Sequence, residues 1–332
     1  VTTRTTAGAT IDAGLTRALR LFGLLVGVGI LTWLIDHADT AALWRVSARI
    51  GWGFLAIVAA RASSIVVDTA AWYLLVPRRE RPVFIKMTPL RWVGESINTT
   101  LPAGQIGGEL VRAQLLQRLL QAPAHGAASV AVDFALSLFA QILFTLLGFV
   151  LLARLGSAVG WWWVAGLAAL VPAFAVLSWE LLARQRLLAA AERWCVRLGQ
   201  RRLASILHAL AGGLGLIAEG RIALALSLCL HGTSFVVHAG ELWLTLYLMG
   251  APTGIEQATL LESLSLAARS AAFLIPSGWG AQEASLVALA AVTGISLDTA
   301  LALGLVKRAR EFAIGLPGLA TWGWLERRNR RR

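Results

Sequence analysis

The chain has 332 residues, of which 57% are hydrophobic and 14% charged, with a mean hydropathy of +0.69 and a net charge of +12. Several stretches therefore reach the roughly 20 apolar residues that a hydrocarbon core requires, which makes this a polytopic helical membrane protein and not a soluble domain. The positive excess is almost all Arg, lies beside apolar spans and has no interleaved aromatic reading face, so it argues against nucleic acid and for anionic lipid headgroups.

In chain order, full spans are predicted near 20–36, 51–76, 127–153, 161–183, 221–249 and 298–325. Two apolar hairpins, 83–121 and 255–293, lie between them. The fold class is all-α, a membrane helix bundle over 1–332, with a first half 1–153 and a second half 154–332. Each hairpin is interrupted by a version of one pattern, PAGQIGGE at Pro102–Glu109 and PSGWGAQE at Pro276–Glu283. The breaks centre on Pro102, Gly104 and Gly108, and on Pro276, Gly278 and Gly280, where re-entrant or discontinuous helices are expected. Segment 184–220 reads as an amphipathic helix anchored on one leaflet.

Lys and Arg divide twenty-two against three between the two sets of connecting segments, which places both termini in the cytoplasm and keeps the first span as an uncleaved helix. Trp33, Trp44, Trp52 and Trp161–Trp163 fall at the outer rim; Trp72, Tyr73, Trp179, Trp322 and Trp324 fall at the inner one. The first hairpin then enters from the cytoplasm and the second from outside, an inverted repeat of the kind that lets a central site face either side.

Ionised groups at membrane depth are costly unless paired or hydrated, so they mark an internal cavity or polar glue between helices. Spacing on one helix face pairs Arg61 with Asp68, Arg91 with Glu95, Glu109 with Arg112, Glu262 with Arg269, and Arg308 with Glu311. Together with Asn98, the residues Arg61, Asp68, Arg91, Glu95, Arg112, Arg269 and Arg308 are the candidate lipid-binding set. Half-helices beginning after the breaks would add positive dipole ends, and with Arg91, Arg112, Arg269 and Arg308 would form an anion site for a lipid headgroup.

Glu109 and Glu283 are the leading candidates for ion or proton coupling, with helix capping as the alternative; Asp133, Glu262 and Glu311 join them. His231, His238 and Glu241 share a face of the fifth span, where polar packing and proton relay are both open and a metal site is weakly supported. Asp133 and Gln141 in the third span have the same reading. Cys195 and Cys229 suggest neither a disulfide nor metal spacing. No nucleotide loop, metal framework or activated nucleophile is found, so no cofactor or metal is expected and enzymatic activity is not.

The segments ESINTTLPAGQIGGELVRAQLL at Glu95–Leu116, FLIPSGWGAQEASLVALAAVTGIS at Phe273–Ser296 and ALALGLVKRAREFAIGLPGLATWGWLE at Ala300–Glu326 resemble the lysylphosphatidylglycerol synthase transmembrane-region, or flippase-like, family. The last segment is most similar to its hopanoid-biosynthesis-associated branch. Family members that make aminoacyl-lipids carry a further soluble catalytic domain, and none follows here before Arg332. The resemblance implies lipid translocation at the bacterial inner membrane, with a hopanoid, phospholipid or polyprenyl-linked lipid as cargo. A membrane transferase acting on a lipid headgroup, or a non-transporting subunit of a lipid-biosynthesis assembly, is the alternative. Membrane lipids are the expected partners, and lipid-biosynthesis enzymes and further copies of the chain are candidates.

Overall fold

A computed structural model describes residues 45, 48–101, 107–120, 123–155, 186–197, 201–272 and 280–330. The spans expected at 20–36 and 161–183 lie outside them, as do Pro102, Gly104, Pro276 and Gly278. The described residues form helices α1 Gly53–Leu75, α2 Phe84–Thr100, α3 Gly107–Gln117, α4 Pro123–Arg154, α5 Arg186–Arg197, α6 Arg201–Ala218, α7 Arg221–Leu248, α8 Ile255–Ala271, α9 Ala281–Thr293 and α10 Leu297–Arg330. No strand occurs among the described residues. By length and composition α1, α4 and α7 qualify as membrane spans. α10 is long enough, but the KRARE turn at its centre carries five consecutive positions with four charges.

The protein is turned inside out relative to a soluble one. Arg91, Arg112, Asp133, Glu241 and Glu283 are buried, whereas Leu55, Val66, Phe134 and Val236 on the three spans are exposed. Apolar side chains on the outer surface are at their most stable against lipid, and the polar groups they surround are shielded from it.

The two halves repeat each other's contacts. In the first, α1 lies on α2, α2 on α3 and α3 on α4; in the second, α7 lies on α8, α8 on α9 and α9 on α10. Between halves, α2 packs on α10 as α8 packs on α4, while the paired first helices α1 and α7 lie on each other. These two are antiparallel: Gly53 approaches Leu248, Arg61 meets His238, Asp68 meets His231, and Leu75 shares an apolar cluster with Leu224. The corresponding helices α1 and α7 thus run in opposite directions, as an inverted repeat requires.

Small residues make the contacts between halves close. A Cβ on Gly148 of α4 would lie 2.0 Å from Ser263 Oγ of α8, and one on Gly318 of α10 would lie 1.9 Å from Ser96 Oγ of α2. This is the familiar use of glycine and serine where membrane helices approach. Within the first hairpin Gly108 packs on Gly94, whose carbonyl would be 2.0 Å from an added Cβ. Gly108 is therefore a helical packing residue inside α3, whereas the sequence reading placed it in the break. Gly280 does lie outside a helix, with φ +80°, immediately before α9.

Two further expectations are corrected. Segment 184–220 is not one surface helix: α5 and α6 pack together, and α6 buries Leu214 and Ile217 against Leu75, Ala128 and Val132 of the bundle. Trp72 is fully buried rather than at the inner rim, because its ring lies under the Arg112 guanidinium at 4.6 Å and its Nε1–H donates to Ser129 Oγ at 3.2 Å. Trp52 and Trp324 are exposed, as rim positions require.

Candidate functional site: a charged layer between two apolar clusters

Along α1 the sequence Ile57, Arg61, Asp68, Trp72 alternates apolar, charged, charged, apolar on buried or half-buried positions. The other helices match it. Ile57, Leu242, Leu246, Leu261, Leu286 and Val306 form one apolar cluster; Trp72, Met87, Leu90, Val93, Leu116 and Val130, with Leu319 and Trp322 packed on them, form another. The fifteen steps from Ile57 to Trp72 give a separation of about 22 Å along the helix. Between the clusters lies a layer of ion pairs from α1, α2, α3, α4, α7, α8, α9 and α10.

In the first half the layer is organised by Asp133 of α4, which is fully buried. Its Oδ2 accepts from Arg91 Nη1 at 2.6 Å and lies 2.8 Å from Arg112 Nη2, while Oδ1 is 3.0 Å from His231 Nε2. His231 reaches Asp68 Oδ1 through Nδ1 at 3.2 Å, so one imidazole spans two carboxylates from α1 and α4. Arg112 also pairs with Glu109 one turn before it. Its N–H groups are not aligned on either carboxylate, so these are charge contacts rather than directed hydrogen bonds. Asn98 secures the start of α3, accepting from the Gly108 N–H at 2.8 Å and donating to Glu109 at 3.4 Å.

The second half is organised by one turn of α10. Successive residues on a helix point about 100° apart, so the charges of KRARE fan outward to different neighbours. Lys307 pairs with Glu262 of α8; Arg308 holds Glu283 of α9 through Nε at 2.6 Å and Nη2 at 3.2 Å; Arg310 pairs with Glu241 of α7; and Glu311 receives Arg269 of α8 at 2.5 Å. Arg308 also reaches Glu311 at 2.8 Å. The layer is continuous with α1 through Arg61, which donates to Glu95 at 2.6 Å and to His238.

Both motif carboxylates sit at the third residue of a helix. Glu283 caps α9 by accepting the Gly280 N–H at 2.8 Å, and it holds Arg308 at the same time. The choice between cap and charge partner is thus not exclusive. Glu109 has the equivalent position in α3, but its arginine, Arg112, comes from its own helix, three residues on.

Several expected pairs are replaced. Glu109–Arg112 and Arg308–Glu311 are present, but Arg61 binds Glu95 where Asp68 was expected, Arg91 binds Asp133 and Asp68 where Glu95 was expected, and Glu262 and Arg269 take separate partners on α10. Same-helix spacing sees only partners along one face, whereas these residues look across to other helices. Lys307 and Arg310 were missed for that reason. The anion site expected at Arg91, Arg112, Arg269 and Arg308 is compensated here, each guanidinium being held by carboxylates. A large cavity among the described residues is lined by none of the expected set. Gln141 donates to Ser270 at 2.6 Å across the α4–α8 contact. Among the described residues no cluster of His, Cys, Asp or Glu has metal-binding form, and Cys195 and Cys229 are free thiols.

The sequence profile of the family described as the lysylphosphatidylglycerol synthase TM region matches residues 20–318. The chain belongs to this family. No curated protein and no solved structure matches it. Membership makes this a multi-pass membrane protein tied to lipid handling, and the matched region contains the whole charged layer and both helix breaks.

Proposed function

We propose that this protein moves a lipid across the bacterial inner membrane by alternating access, with both termini in the cytoplasm and a hopanoid, or another anionic or polyprenyl-linked lipid, as cargo. The observation that carries the proposal is the layering: charged groups from two inverted halves lie between two apolar clusters. Each cluster acts as a barrier on one side. Opening them in turn, by rocking one half against the other along the small-residue contacts, exposes the layer first to one leaflet and then to the other. In the arrangement described, the arginines of the layer are paired with carboxylates.

A phosphate or carboxylate headgroup would compete with those carboxylates for Arg91, Arg112, Arg269 or Arg308, since each makes the same charge-assisted contacts to either. Glu109 and Glu283, released from their arginines, would then take a cation or a proton. This reading assigns the protein no covalent chemistry.

Reconstitution into vesicles with labelled candidate lipids tests it by following leaflet exchange. Exchange is expected with the unmodified protein and is expected to lose its pH dependence in the double Glu109→Gln, Glu283→Gln variant. Exchange no faster than in protein-free vesicles, for every lipid tried, would sink the transport reading. Full pH dependence in the double variant would leave the two carboxylates as caps alone.

A further inference from the structure

Away from the charged layer, the end of α1 with the loop after it, the start of α4, the end of α6 and the start of α7 enclose a cavity of about 940 Å³. That size is within the range of ligand pockets. Arg78, Arg79, Arg81 and Arg221 line it against only Glu80 and Glu219.

Two of these charges have structural duties. Arg81 closes the end of α1, donating to the carbonyls of Leu74 and Val76 at 2.9 Å and packing over the Tyr73 ring at 4.7 Å. Glu80 is engaged by His125 at 3.1 Å. Arg78, Arg79 and Arg221 remain exposed on the rim. Gly220 precedes α7 and supplies no side-chain cap, so the positive end of a 28-residue helix adds to the same field.

The wall beside this rim is apolar. Ile222 and Leu226, one turn apart on α7, are 78% and 50% exposed, with Leu74 and Val76 behind them. The arginine asymmetry assigns this end of the molecule to the cytoplasm. A soluble anion would satisfy the cations and leave the apolar wall bare, whereas a phospholipid satisfies both.

We propose that this cavity is a second lipid site, distinct from the charged layer, which holds the phosphate headgroup of an anionic phospholipid of the cytoplasmic leaflet with its acyl chains along Ile222 and Leu226. The site follows from geometry that the transport reading does not use. Binding here places a lipid at the edge of the bundle, against both the helix that carries Asp68 and the helix that carries His231.

Binding of fluorescent phosphatidylglycerol to the purified full chain in detergent, compared with phosphatidylcholine, tests the site. A basic residue near an anionic lipid contributes on the order of five-fold in affinity, so replacing three together should weaken phosphatidylglycerol binding by about a hundredfold. The variant is Arg78→Gln, Arg79→Gln, Arg221→Gln. The matching triple Lys variant is expected to bind within a few-fold of the unmodified protein, which separates loss of charge from loss of fold. Leu226→Gln should weaken the lipid as well.

Phosphatidylglycerol binding unchanged in the triple Gln variant would overturn the proposal, as would displacement of the lipid by inorganic phosphate at equal concentration. Leaflet exchange by the triple Gln variant, set beside its loss of phosphatidylglycerol binding, tells a failure of this site from a failure of the transport reading.

Discussion

Asp133 shows what a single residue does in this protein. Buried among Arg91, Arg112 and His231, it compensates two guanidinium groups that have little access to water. Removing one member of a buried ionic group leaves the others uncompensated, at a cost of about 3–5 kcal/mol. Asp133→Asn is therefore expected to lower the thermal unfolding temperature in detergent sharply. Glu326→Gln breaks the half-exposed pair with Arg118 and is expected to cost about 0–1 kcal/mol. Equal shifts for the two would contradict an essential role for the layer. At this scale the sequence was legible in part: it marked Asp133, His231 and Arg112 as too polar for their depth, but not that they meet. That convergence joins Asp133 to residues 21 and 98 positions away, and no helical spacing carries it.

At the scale of helices, the contacts that join the halves rest on the absence of a side chain. Gly318 and Gly148 each leave room for a serine of the opposite half. Gly318→Ala is expected to destabilise by about 1–3 kcal/mol through overpacking. Gly240→Ala in α7, where a Cβ meets nothing within 4 Å, is expected to stabilise by about 0.5–1 kcal/mol through helix propensity. Thermal unfolding of both variants checks the pair, and a destabilising Gly240→Ala or a neutral Gly318→Ala would count against the packing described. The boundaries of α1, α4 and α7 followed closely from apolar length. The division of 184–220 into α5 and α6 did not, because its amphipathic pattern is the same whether the apolar face meets lipid or the bundle.

For the whole molecule, the antiparallel pairing of α1 and α7 puts their N-terminal ends at opposite faces. Trp52 and Ile222 mark those ends and are both well exposed. With Cys195 and Cys229 replaced by Ser, Ile222→Cys is expected to react with a membrane-impermeant thiol reagent only from the cytoplasmic side, and Trp52→Cys only from the other. Labelling of intact cells and of inverted vesicles checks this. Reaction of both from one side would refute the inverted arrangement, and exchange of the two sides would reverse the orientation drawn from the arginines.

Sequence alone determined the solvent. A chain with this hydropathy must bury its charges and expose its apolar faces to lipid, and two Gly- and Pro-containing motifs ending in Glu had to interrupt helices in each half. It also determined which residues were out of place in a membrane, since the cost of ionisation at depth depends on residue type and position along a span. Tertiary structure decided the partners. Whether Arg91 turns to Glu95 on its own helix or to Asp133 on α4, and whether KRARE serves one neighbour or three, depends on helix rotation and crossing. Those are set by where small residues let backbones approach, a property of pairs of helices that no one segment contains.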